Sequence, residues 1–284
     1  MKLTRSLILT LSVICAVSCR YVSSQVSVSP TAIYVDDRLN VGSLLISNSP
    51  DAAREVSVSF KFGYPSADST GNLFMVYDDK LKESRYGIGP GVRAFPRKFR
   101  LQPGGQQTVR VQILNMGDKP DGVYWERMII TSRESVPDIE ELSISKGIGA
   151  KINYTFKQNI ALFYLKGETC TGIVPKGVTA SVEDGTLAVI SRLIPEGNSP
   201  FNGSVNLDIS DESGKLVVSH RQTIAVYFES LYRMDIMLPE NCLPAGRYSF
   251  EFTYQTERGD IPAADLVQAE PVRYVVYVDI SSVD

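Results

Sequence analysis

The chain has 284 residues, 43% of them hydrophobic and 21% charged, with a formal net charge of −3. That length and balance suit two folded domains with their own cores and exclude a disordered chain. The weak negative charge offers no field to phosphate backbones or anionic lipid, so no nucleic-acid role is expected.

Met1-Lys2-Leu3-Thr4-Arg5 followed by the apolar run from Ser6 to Val17 has the form of an export signal, a positive start before a stretch too short to span a bilayer. Val22 and Ser24 permit cleavage before Gln25, which predicts a signal peptide over 1–24 and a secreted chain. A second reading stays open: Ala16-Val17-Ser18-Cys19 as a lipoprotein signal, with Cys19 acylated and the protein anchored to a membrane.

From Gln25 onward Val, Ile, Tyr and Phe recur at period two between Gly, Pro, Asn and Asp, the mark of short antiparallel strands. The expected strands of the first unit are 26–35, 41–47, 55–62, 73–77, 92–101, 107–114, 122–131 and a long 151–165. Turns are expected at Asn48-Ser49-Pro50-Asp51, Gln102-Pro103-Gly104-Gly105 and Lys119-Pro120-Asp121-Gly122. No segment carries a helical stripe, and strands at this spacing describe an immunoglobulin-like sandwich. A break at Lys166-Gly167-Glu168-Thr169, running on through Gly177, ends that unit. Strands follow at 187–194, 203–209, 216–228, 232–238, 246–255 and 272–278, with a longer loop over 257–269. The reading is all-β: two immunoglobulin-like β-sandwich domains in tandem after a signal peptide, over 25–166 and 167–284.

Chemistry-bearing clusters are scarce. One histidine, His220, lies inside a strand run, which leaves no His pair for a metal and no evident triad. Asp36-Asp37, Asp78-Asp79 and Glu140-Glu141 are adjacent residues, which a strand points to opposite faces, so they read as solvated turns. The single tryptophan, Trp125, reads as core of a central strand. Neither a metal nor a cofactor is expected, and no catalytic machinery. Once the leader is gone, Cys170 and Cys242 remain, and in an oxidising compartment they are expected to pair. That bridge would close a loop of about 70 residues, adding about 4 kcal/mol by the chain-entropy model.

Several segments, in order, resemble the PapD-like periplasmic pilus chaperones. They are Val28-Ser29-Pro30-Thr31-Ala32-Ile33-Tyr34, then Leu45-Ile46-Ser47-Asn48-Ser49-Pro50, and Phe95-Pro96-Arg97-Lys98-Phe99-Arg100-Leu101-Gln102-Pro103-Gly104 with Gln107-Thr108-Val109-Arg110-Val111. Asp121-Gly122-Val123-Tyr124-Trp125 and Asn159-Ile160-Ala161-Leu162-Phe163-Tyr164 follow, so the resemblance covers about 26–165 and is weak beyond. It implies a chaperone or assembly factor in the periplasm of a Gram-negative bacterium, whose partners are incomplete immunoglobulin-like pilin or surface subunits and an outer-membrane usher. It implies no small-molecule substrate. The last strand of the first domain would be lent to the partner, with Ile152, Tyr154 and Phe156 as donor side chains. The chain departs from the family at Ala32 and Ala161, where an Arg and a Lys usually grip the partner's terminal carboxylate; Lys166, Lys98 and Arg97 are the candidates to replace that charge. The alternative is a structural or adhesive surface protein that uses the same fold as scaffold.

Overall fold

The computed structural model describes residues 26–114, 116–135, 154–239 and 242–280. The expected signal peptide, Cys19, Glu140-Glu141 and Ile152 lie outside the described residues.

The first unit contains strands β1 (Ser27–Ser29), β2 (Ala32–Asp36), β3 (Val41–Ser47), β4 (Arg54–Lys61), β5 (Gly63–Ala67), β6 (Leu73–Tyr77), β7 (Val92–Phe95), β8 (Lys98–Leu101), β9 (Gln106–Ile113), β10 (Gly122–Glu134) and β11 (Thr155–Lys166), with one helix α1 (Lys80–Tyr86). One sheet runs β1-β3-β9-β7 and the other β2-β11-β10-β4-β8, with β5 and β6 as a separate ribbon. Strict alternation places the residues: Val109, Val111 and Ile113 of β9 point inward, while Thr108, Arg110 and Gln112 face water. They meet Leu44, Ile46, Val56, Val58, Met128, Ile130 and Leu162 in one core.

Two expected strands divide. Residues 26–35 break at Pro30, so β1 pairs with β3 while β2 pairs, in parallel, with β11 in the opposite sheet. Residues 92–101 break at Pro96-Arg97, leaving β7 on β9 and β8 on β4. Proline removes a ladder donor, which suits the crossing of a strand from one sheet to the other. Asn48 ties the two expected turns together, its side-chain amide donating to the carbonyls of Ala52 at 2.8 Å and Gln102 at 2.9 Å.

The second unit contains β12 (Thr171–Glu183), β13 (Thr186–Gly197), β14 (Phe201–Ser210), β15 (Leu216–Val226), β16 (Ser230–Met237), β17 (Gly246–Gln255) and β18 (Val272–Ile280), in sheets β12-β13-β16 and β15-β14-β17-β18 around a second core. The expected break through Gly177 is instead the long strand β12. Pro175 is tolerated because β12 is a sheet edge, and Gly177, at φ +59°, forms a bulge where the register with β13 shifts. The Tyr124 hydroxyl donates to the Pro120 carbonyl and the Tyr248 hydroxyl to that of Pro244, at 2.7 and 2.8 Å. Each is a tyrosine corner opening a central strand, built from Pro-Asp-Gly-Val-Tyr in one unit and Pro-Ala-Gly-Arg-Tyr in the other.

Candidate partner-binding edge

β11 is the strand on which the resemblance to pilus chaperones leads one to expect partner contact. On one side it pairs with β10 along its whole length, from Thr155 opposite Arg133 to Lys166 opposite Gly122. On the other side β2 covers only Ala161–Leu165, because the chain crosses to the other sheet at Pro30. Among the described residues no strand lies beside Thr155–Ile160 on that side. Such an edge presents backbone donors and acceptors to any added strand.

The side chains there are not absorbed by the core. Tyr154 is 61% exposed and Phe156 half-buried, their rings stacked with centroids 6.0 Å apart, and neither belongs to the core cluster that begins at Ile160. The same face carries Gln158, which the sequence reading passed over; its side-chain amide donates to the Val26 carbonyl at 2.5 Å and holds the segment before β1 against β11. A polar residue interrupting an apolar alternation is the signal that marks it.

Ala32 and Ala161 are directly opposite each other in the β2–β11 register. Both are half-buried and pack against a cluster between the two units, where Trp125, Phe163 and Tyr227 are buried. Neither offers a charge. Beside Ala32, the Thr31 hydroxyl donates to Asp260 of the second unit at 3.2 Å, and Asp260 takes a two-pronged contact from Arg258 at 2.7 and 2.8 Å. The Arg258 hydrogen bond foremost lowers the Asp260 pKa; burial works to lower that of Arg258, but its hydrogen bond and charge pairing with Asp260 leave it raised. The three basic residues proposed to replace the missing charge are elsewhere. Lys166 donates to the carbonyls of Gly117 and Lys119. Lys98 sits on β8, the far edge of the sheet, and Arg97 precedes it, with its Nε directed to the Val58 carbonyl.

The second unit seats itself on the outer face of β10 and β11. Trp125 faces this junction rather than the sandwich core: it stacks on Tyr86 at 5.2 Å and meets Tyr227 edge-on at 4.9 Å. Phe163 stacks on Tyr34 at 4.7 Å, and Arg127 donates to the Tyr227 hydroxyl at 3.2 Å. Asn198 closes the rim: its carbonyl accepts from the Val123 amide and its side chain bonds Cys170 and Glu168.

The expected disulfide does not form; Cys170 and Cys242 are both free. Cys170 precedes the open end of the β12–β13 hairpin. Cys242 follows Leu238, whose amide bonds Gly185 at the hairpin's tip. Thirteen residues of strand separate those ends, roughly 40 Å, whereas a bridge needs Cα atoms about 4–7 Å apart. His220 is half-buried on β15 opposite Leu207. Asp79, read as a turn residue, caps α1 through the Lys82 amide, a helix too short for a stripe to show.

No protein-family model and no curated protein matches the chain. Among solved structures it is similar to the YadV chaperone, with 12% identity, a TM-score of 0.48, and coverage of 88% of this chain and 100% of that one. The CupB2 chaperone of Pseudomonas aeruginosa is similar at 11% identity and a TM-score of 0.43, with 90% and 100% covered. The CsuC-CsuE chaperone-tip adhesion subunit pre-assembly complex of Acinetobacter baumannii follows at 8% identity and a TM-score of 0.43, with 91% and 100% covered.

Proposed function

We propose that the protein is a periplasmic assembly factor that holds incomplete immunoglobulin-like pilin or surface subunits, destined for an outer-membrane usher, by lending them the strand that leads into β11. The observation that carries this reading is the open edge at Thr155–Ile160 beside two aromatic side chains that the protein's own core does not use. A partner lacking one strand gains main-chain hydrogen bonds along that edge and a row of apolar groups from Ile152, Tyr154 and Phe156. Each side chain, once buried, contributes about 1.5–3 kcal/mol. The partner's terminal carboxylate is not held at Ala32 and Ala161, where Asp260 already sits close by. Strand addition therefore bears the whole load of binding.

The test is capture from periplasm by the mature chain beside a variant with Ile152, Tyr154 and Phe156 changed to Ser. The variant should keep its near-UV circular dichroism, because Tyr154 and Phe156 lie outside the core, and retain less than a tenth of the captured β-rich subunit. Equal capture by both chains, or capture by neither, would sink strand donation and leave a scaffold or adhesive role.

A further inference from the structure

A cavity of about 670 Å³ opens at the mouth of the first sandwich, between β4 of one sheet and β7 of the other. It exists because β8 pairs with β4 only over Arg54–Ser57, so beyond Val58 the two sheets part. The volume falls within the range of about 300–1,000 Å³ typical of small-ligand pockets. Phe60, Phe62 and Phe95 give it aromatic walls, and Phe95 is 60% exposed there with no core to fill.

Glu126 also lines it, only 4% exposed. In the inward row of β10 it stands between Tyr124 and Met128, where an acid has no packing role. Its Oε1 accepts the Gly89 amide at 3.1 Å, and among the described residues no cation forms an ion pair with it. The charges around it are engaged with one another: Lys61 with Asp78 at 2.8 Å, Lys80 with Glu83 at 2.7 Å, and Lys119 with the Gly87 carbonyl at 2.7 Å. Arg93 and Arg97 complete the rim. Burial pushes the Glu126 carboxyl up to about 7, with Glu83 adding to the shift and the Gly89 hydrogen bond, Lys119 and Lys80 opposing it. A buried acid with one hydrogen bond and no counter-charge is a site for a cation carrying donors.

We propose that this cavity binds a small primary amine on an apolar stem, its ammonium group on Glu126 and its stem against Phe60, Phe62 and Phe95. The four rim cations would favour an anion instead, but four of the five basic groups nearby, Lys61, Lys80, Lys119 and Arg97, already have partners, and the carboxylate inside repels one.

The experiment follows the Gly89 amide by ¹H–¹⁵N NMR while phenethylamine is titrated at several pH values, with 3-phenylpropionate as the anion of similar size and Phe-Gly-Gly amide as a peptide terminus. Ionised Glu126 is the binding form, so affinity for phenethylamine should rise about tenfold between pH 6 and pH 8. Glu126→Gln should weaken binding at pH 8 at least tenfold and abolish the pH dependence. Phe95→Ser, at an exposed position that leaves the fold intact, should also weaken it. Binding of the peptide amide as tight as that of phenethylamine identifies peptide termini as ligands; binding of the amine alone identifies a small molecule. Preference for the propionate, binding indifferent to Glu126→Gln and Phe95→Ser, or no response of Gly89 to any amine would overturn the assignment.

Discussion

Glu126 places an ionisable group on a face that is otherwise apolar, and the fold therefore favours its neutral form. Its carboxyl titrates at about 7 when folded, against the ordinary carboxyl range near 4 when unfolded. A pKa raised on folding stabilises fully below the unfolded value and ceases to do so as pH climbs through the folded one. Urea melts of the parent should accordingly lose about 2–3 kcal/mol between pH 4.5 and pH 7.5, a loss that Glu126→Gln removes; an equal slope in both chains would place the carboxyl in water. Single residues were the least legible level of the sequence. Tyr124-Trp125-Glu126 reads as one apolar strand, yet successive side chains enter the sandwich core, the junction between units and the cavity wall. Nothing in the alternation alone distinguishes a strand covered on both faces by its own domain from one covered by a neighbour.

Elements were legible where one face meets water. The bounds of β3, β6 and β17 agree with the alternation to the residue, and β9 differs by one at each end. Two of the failures share a cause: a strand that changes sheets resumes its apolar residues directly after the crossing, so 26–35 and 92–101 each read as one strand. The repeated Pro-x-Gly-x-Tyr corner was visible in the sequence, but its meaning depends on a hydrogen bond that spacing does not display. β11 carries a prediction of its own. Among the described residues it is flanked on both sides from Ala161 to Leu165 and on one from Thr155 to Ile160, so amide hydrogen exchange should be uniformly slow in the first stretch and alternate between slow and fast in the second. Uniform protection over Thr155–Ile160 would mean that another segment covers the edge.

For the molecule as a whole, the aromatic junction makes the two units depend on each other. Tyr227, though in the second unit, packs with Trp125 and Phe163 of the first and receives the Arg127 hydrogen bond. Tyr227→Ala should cost about 3–5 kcal/mol and shift the Trp125 fluorescence to the red, with NMR changes in both units; changes confined to the second unit would show that the junction contributes little. The crossing at Pro30 has a different reach. Because β2 begins at Ala32 and takes the edge of β11 from Ala161 onward, the accessible edge ends at a fixed stop. Six residues, Thr155 to Ile160, span about 20 Å. The crossover thus acts as a stop: whatever length of strand is laid along this edge before Ala161, it must turn away where β2 begins.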